Sequence, residues 1–516
     1  MVLNPEIARL SGMVEERCLT WLKRSEGGDY VLIDPIDKAP VKSHYAASHL
    51  SAGLILSGIR RKNKEILNAG LSLLRIVVAG WDEDHRLADY HHDFNNFAFC
   101  VVIEALSSLG GHEDIINSIK NIVLADDDSD HVTVNWLPMR VYVNKSRFEW
   151  TQDYSYNKIS EGLFEKINHA IYKDGFIDDR LPKGNSFNLQ YNIATVALLQ
   201  FLRCRGDTID LSENLGTLLS AVAPDGDINY IGRGTNQVFA WGLWIYLLSS
   251  SKNETALKGA IEYLGKYLQV MLDNNNLMLN DYHGEDKILW WDYHYCSVYT
   301  AHLYLWLELA LLNNGKCEIS ARRNQYSDSG LKVFAHEKSF LTLFEGRKLY
   351  LAERGPVIAA LWTMKNGMLF KGSFGPWGDD FGWRYDVPGI ILRNFIGLMG
   401  VKRKGNNQRS RALKLLGIKV ETKASELLAP LFPEISIADT SASLRVIYKC
   451  MYPYMAFFNF PVFLKSGFDV SSCSLIADGK PVELLNVMTL KNQYQWCVLY
   501  QSREIKAKEW QLTLNY

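Results

Sequence analysis

The sequence predicts a multidomain chain, helical first and stranded second: an N-terminal (α/α) incomplete toroid followed by a C-terminal antiparallel β-sandwich. Three observations predict it. The 516 residues exceed what one hydrophobic core serves, so two or three domains are expected. Apolar residues recur at helical spacing in segment after segment through the first ~310 residues. After about residue 315 the pattern becomes short, alternating or β-branched runs between Gly, Asn, Asp and Pro.

The helical segments come in series. SHYAASHLSAGLILSGI (43–59) is small and apolar, as a tightly packed inner helix is. KEILNAGLSLLRIVV, FNNFAFCVVIEALSSL, NLQYNIATVALLQFL and QVFAWGLWIYLL follow, and between 253 and 272 Leu257, Ile261, Leu264, Leu268 and Leu272 share one face. With YCSVYTAHLYLWLELALL there are roughly ten to twelve such segments, joined by short polar loops that make consecutive helices antiparallel. Hairpins in series without a fixed-period repeat predict a toroid or a solenoid. The helical domain is taken as 1–314. The polar stretch NNGKCEISARRNQYSDSG leads into a linker at 315–330, and strands fill 331–516, with FLTLFEGRKLYLAE, SLRVIYKCMY, FDVSSCSLIAD and QWCVLYQS as the strand-like runs. KGNNQRSRALKLLG (404–417) is basic and reads as a solvated face.

Composition narrows the function. Lys+Arg is 56 and Asp+Glu is 57, a net charge of -1, so the whole chain has no electrostatic reason to bind nucleic acid or an anionic membrane. An anionic ligand would have to meet a local site. The 14 Trp, 26 Tyr and 22 Phe serve either as stacking faces for sugar rings or as core. The eight cysteines are scattered with no CxxC pair, which gives no zinc-site spacing and suits a reducing compartment. MVLNPEIARLSGMVEERCLTWL lacks a basic segment followed by an apolar one, so the chain as written is expected in the cytoplasm, or in the periplasm or medium if a leader has been removed. No stretch of 18 apolar residues predicts a membrane span.

Four segments of the helical half gather chemistry. DYHHDFNNFAF (89–99) places His91, His92, Asp93, Asn95 and Asn96 ahead of an apolar helix. One of these would suffice as an N-cap, and five exceed what a cap needs. DGFIDDRLPKGNSFNLQYNIATVALL (174–199) brings Gln190 and Tyr191 onto the first turns of a helix beginning near Ser186. APDGDINYIGRGTNQVFAWG (223–242) flanks Arg233 with Gly232 and Gly234, close to Tyr230 and Gln237, and an arginine so exposed can grip a carboxylate with two parallel hydrogen bonds. WWDYHYCSVYTAH (290–302) offers Trp291 and His294 as one wall of a sugar cleft or as an aromatic packing face.

Together these segments resemble the alginate lyase and heparinase II/III group of polysaccharide lyases. FNNFAFCVVIEAL is similar to the group's Asn-Asn-His motif, with Phe97 where the His stands. The 174–199 block is similar to its Asp-Gly…Ser…Tyr-His helix, with Tyr191 as the Tyr and Asn192 after it. PDGDINYIGRG is similar to the Pro-Asp-Gly…Gly segment that follows. The resemblance implies a toroid followed by a sandwich, no metal or organic cofactor, an acidic polysaccharide or oligosaccharide as partner, and β-elimination at a uronic acid. Asn95, Asn96 and Arg233 would then neutralise the carboxylate, Tyr191 would act as acid and base, and His91 or His92 would replace the missing histidine. Gln190, Tyr230, Gln237, His294 and Trp291 would line the cleft. Two other readings stay open: a glycoside hydrolase using two of Asp93, Asp174, Asp225, Asp227 and Asp292, and a non-catalytic glycan-binding or assembly protein of capsule or O-antigen biosynthesis.

Overall fold

The computed structural model describes residues 3–35, 38–42, 44–87, 90–126, 133–171, 175–177, 186–187, 189–222, 228, 238–273, 296–313 and 317–322, and, further on, 331–336, 339–344, 348–349, 360–365, 368–371, 382–385, 434–439, 443–465, 472–491, 495–502 and 505–515. The chain divides into two compact units, one carrying the helices up to Tyr326 and one carrying the strands from Ser327 to Tyr516.

Twelve α-helices lie among the described residues: α1 Asn4–Leu19, α2 Ala46–Arg61, α3 Lys64–Asp84, α4 His92–Leu109, α5 Glu113–Ala125, α6 Leu137–Thr151, α7 Tyr154–Ala170, α8 Leu189–Arg203, α9 Ser212–Ser220, α10 Phe239–Ser249, α11 Glu254–Asp273 and α12 Cys296–Asn313. They fall into two kinds, as their sequences require. In α10, every residue from Phe239 to Leu248 is buried, and α2 is buried from Ser48 through Gly58. A helix apolar all round must have neighbours all round. By contrast, α5 buries only Ile116, Ile119, Ile122 and Val123, one stripe at helical spacing. The even-numbered helices form an inner ring in which α2, α4, α6, α8, α10 and α12 each pack on the next, while α3, α5, α7, α9, α11 and α1 back them from outside.

Two of the turns between hairpin partners use the same device. Lys62 after α2 and Gln152 after α6 adopt left-handed φ values of 54° and 59°, ending each helix. The next residue then caps the following helix: the Asn63 side chain accepts from the Glu65 amide at 2.9 Å, and Asp153 accepts from Ser155 at 2.9 Å.

The ring is closed, which corrects the expectation of an incomplete toroid. Packing of α12 against α2 completes it. Gly53 makes that approach possible, since a Cβ there would lie 2.5 Å from the Tyr304 ring. Two buried glutamates fasten the seam. Glu308 of α12 accepts from Arg60 Nε and Nη2, both at 2.9 Å, and from Ser11 of α1. Glu15 of α1 accepts from Ser57 at 2.6 Å, from Arg61 at 2.6 Å and from the Tyr304 hydroxyl. Closure was not visible in the helical pattern because the joined residues lie nearly 300 positions apart: 297 for Ser11 and Glu308.

In the second unit the described strands pair antiparallel. Strands 331–336, 339–344, 360–365 and 368–371 run as successive antiparallel neighbours. The 23-residue strand Ser443–Lys465 is the spine: it pairs with Ile505–Asn515 along its first part and with Gln495–Ser502 along its last. Its register breaks between Lys449 and Tyr454. Opposite that break the Asp478 carboxylate receives the amides of Lys508 and Glu509, at 3.0 and 2.9 Å, so the irregular backbone stays hydrogen-bonded. Leu475, Ala477, Ala507, Trp510 and Leu512 are buried there. The basic stretch 404–417 lies outside the described residues.

Candidate functional site

Because inner and outer helices alternate, the inner helices run parallel and present their N-termini at one end of the ring. A cavity of about 50 Å³ sits at that end. Each inner helix contributes to it from its first turn or the residues just before: His44 and Tyr45 ahead of α2, His91 and Phe94 at α4, Asn135 and Trp136 ahead of α6, Gln190 and Tyr191 at α8, Phe239 at α10 and Tyr299 at α12. Each helix N-terminus carries a partial positive charge from its unpaired amides. Six of them lie around this cavity; at α12 the Asp34 carboxylate already accepts from the Ser297 amide at 3.0 Å, and Asp93 lies in the first turn of α4.

Aromatic contacts fix the walls. The His44 and His91 rings stack with centroids 4.0 Å apart, and Tyr45 stacks on Phe94 at 4.3 Å. His91 also leans on Trp136 at 5.7 Å. Gln190 is 2 % exposed and its Oε1 accepts no hydrogen bond within the described residues. Burial, together with the nearby imidazoles of His91 and His49, holds His44 well below the ordinary imidazole value, so its ring is neutral at pH 7. Below this layer lie two more buried histidines. Burial pulls His49 down to about 3 and His302 well below its usual value, and their ring centroids are 5.2 Å apart.

The structure therefore brings together Tyr191, Gln190 and His91 of the residues singled out in the sequence. It sends their neighbours elsewhere. His92 turns away from the cavity, with Nδ1 2.5 Å from Asp126 Oδ1. Asn96 donates to Asp126 Oδ2 at 2.8 Å. Asn95 accepts from Ser48 Oγ at 2.7 Å and donates to the His91 carbonyl at 3.0 Å, so it holds the backbone of His91 in place. The two amides thus spend their hydrogen bonds on the frame, and neither lines this cavity. Asp93 does not cap α4 either: Arg140 grips it with two hydrogen bonds, 2.7 and 3.1 Å, both partners being buried. Arg233, Tyr230, Gln237, His294 and Trp291 lie outside the described residues, as do Asp174, Asp225, Asp227 and Asp292. Among the described residues no group of three His, Cys, Asp or Glu side chains is placed to hold a metal ion, and no helix is long and apolar enough to cross a membrane.

No family model matches the chain, and no curated protein matches it. Solved structures do. A GH76A α-1,6-mannanase from Salegentibacter sp. HEL1_6 is 12% identical over 59% of this chain and 99% of its own, with a TM-score of 0.41. A glycosyl hydrolase family 88 protein from Bacteroides vulgatus is 11% identical over 60% and 99%, with a TM-score of 0.41. A polysaccharide lyase is 12% identical over 60% and 97%, with a TM-score of 0.39. The mannanase has also been solved as an inactive variant with α-1,6-mannotriose.

Sequence reading missed His44, Trp136 and Tyr299. The signal for His44 was there: SHYAASHL places two histidines in a run otherwise fit for helix packing, and imidazoles are expensive to bury without purpose. Trp136 carried no signal, because an aromatic residue beside an apolar helix reads as core, and Tyr299 lies in the WWDYHYCSVYTAH segment, where a cleft wall and a packing face read alike.

Proposed function

We propose that the helical unit is a glycan-processing catalytic domain and that it cleaves a uronic-acid polysaccharide by β-elimination. The observation that carries this reading is the cavity in which Tyr191, Gln190, His91 and His44 meet over six helix N-termini. The reaction removes the proton at C5 of a uronic acid, which is weakly acidic while the adjacent carboxylate is charged. The positive helix ends and the Gln190 amide would hold that carboxylate and stabilise the enolate as it forms. A neutral imidazole is then needed as base, and His91 is positioned for it, its backbone held by Asn95 and its ring stacked on the uncharged His44. The Tyr191 hydroxyl protonates the departing O4. Arg233 remains part of the proposal as a second grip on the carboxylate. The strands from 331 onward we take to form the accompanying antiparallel sandwich, with the register break in Ser443–Lys465 as the place where one strand passes from sheet to sheet.

Glycoside hydrolysis is the second reading. Of the acids that could serve it, Asp93 is committed to Arg140, and no carboxylate lines the cavity among the described residues. The deciding experiment incubates the protein with alginate, heparosan, hyaluronan, chondroitin and bacterial capsules while following ultraviolet absorbance. Elimination creates an absorbing double bond. A rising signal lost in Tyr191→Phe supports the proposal, and a flat trace with new reducing ends overturns it in favour of hydrolysis.

A further inference from the structure

A second, larger cavity of about 280 Å³ lies between α3, the start of α2 and the chain before it. Its volume is near the lower end of small-molecule sites, ~300 Å³ and upward. Its walls are mainly apolar, with Val31, Val41, Leu73, Ile76 and Val77 beside the rings of Trp81, Tyr90 and His44, and Ser48 and Asn95 are the uncharged polar groups among them. Charge is confined to its mouth, where Lys42, Glu83 and Asp84 stand. Lys42 pairs with Glu83 at 3.3 Å. Asp84 has no ion pair within 4 Å among the described residues; partial burial, with Glu83 beside it, raises its carboxyl above the usual carboxylate value, while the Lys42 ammonium works against that rise. One cation and two carboxylates thus stand at the cavity, a net charge of one negative, with Asp84 the partly buried member.

That combination selects an occupant. A neutral ligand would cover Asp84 without compensating its charge, which is costly in an apolar setting, and an anion would be repelled. A cation relieves it. We propose that this cavity is a second binding site, for a compact aromatic amine whose ring fills the chamber and whose ammonium group pairs with Asp84. The site is separate from the chemistry proposed for the ring centre, although His44 stands in the wall of both cavities. An occupant would therefore press on the ring that stacks against His91.

The test uses the full chain and three probes of one shape: tryptamine, indole and indole-3-acetate, each titrated calorimetrically. Tryptamine is expected to bind saturably, indole at least tenfold more weakly, and indole-3-acetate not measurably. Asp84→Asn should weaken tryptamine at least tenfold, and Val77→Trp, which fills the chamber, should abolish binding while circular dichroism shows a native helix content. If Val77→Trp does not fold, Ile76→Phe takes its place. Tyr191→Phe should bind tryptamine as the parent does, which keeps this result independent of the lyase proposal. Absence of tryptamine binding, equal affinity for indole, or indifference to both Asp84→Asn and the filling variant overturns the inference.

Discussion

Gln190 and Tyr191 are adjacent on the first turn of α8, and the helix treats them differently: the amide is buried and the phenol half-buried, both at the same cavity. Removing the Tyr191 hydroxyl deletes the group assigned to proton transfer without emptying space. Tyr191→Phe is therefore expected to lower turnover ~10²–10⁴-fold on a cleaved polymer, with the melting temperature unchanged. Arg140 is the opposite case. Its fork holds Asp93 where both are buried, so Arg140→Ala leaves a carboxylate without its counter-charge. A loss of ~3–5 kcal/mol is expected in urea denaturation. Sequence reading picked out Tyr191, Gln190 and His91 because polar groups crowded the starts of apolar helices. It could not tell that His92, Asn95 and Asn96 face Ser48, Asp126 and the backbone, since adjacent residues on a helix diverge by about 100° and their partners come from other helices.

At the level of elements, the close approach of inner helices depends on missing side chains. Gly53 lies against Tyr304, and at Gly242 a Cβ would meet both the Leu303 carbonyl and the Trp306 side chain at 2.9 Å. Gly53→Ala is expected to destabilise the protein by ~1–3 kcal/mol, read from thermal melting, because backbone and ring must move apart. Gly12 within α1 has nothing within 4 Å of its would-be Cβ. Gly12→Ala should accordingly stabilise by ~0.5–1 kcal/mol in the same assay, through helix propensity alone. Periodicity made the helices legible, α11 above all, with its leucine stripe. Of the inner helices, α2 was legible as one, since its small apolar run predicts the burial seen from Ser48 through Gly58. The sequence predicts the start of α8 near Ser186, three residues ahead of Leu189 where the helix begins, since a capping serine in the sequence does not say whether it is used.

For the whole molecule, the buried imidazoles set an acid limit. In the unfolded chain a histidine takes a proton near pH 6.5, whereas in the fold His49 resists until about 3, and His44 and His302 are held well below 6.5. Above pH ~6.5 both states are neutral and the full stability is present. As pH falls below that value the unfolded state binds protons that the folded state refuses, and each histidine subtracts up to ~1.4 kcal/mol per pH unit. Urea midpoints should fall steeply between pH 6.5 and 4.5, and His49→Gln should flatten that slope. The division into a helical and a stranded part was legible at the sequence level because the hydrophobic period itself changes. Closure of the ring was not, because it rests on glutamates in α1 and α12 that meet arginines at the end of α2, each an ordinary charged residue in its own segment.

That clasp has a consequence during synthesis. At ~5–20 residues per second, α1 and α2 leave the ribosome roughly 15–60 s before α12 does. Throughout that interval the nascent chain carries Glu15 and the apolar face of α2 with their last partner still unmade. A transcript cut short before Cys296 would yield a fragment in that same unclasped state, so it should be found with chaperones or in aggregates rather than as a soluble partial ring.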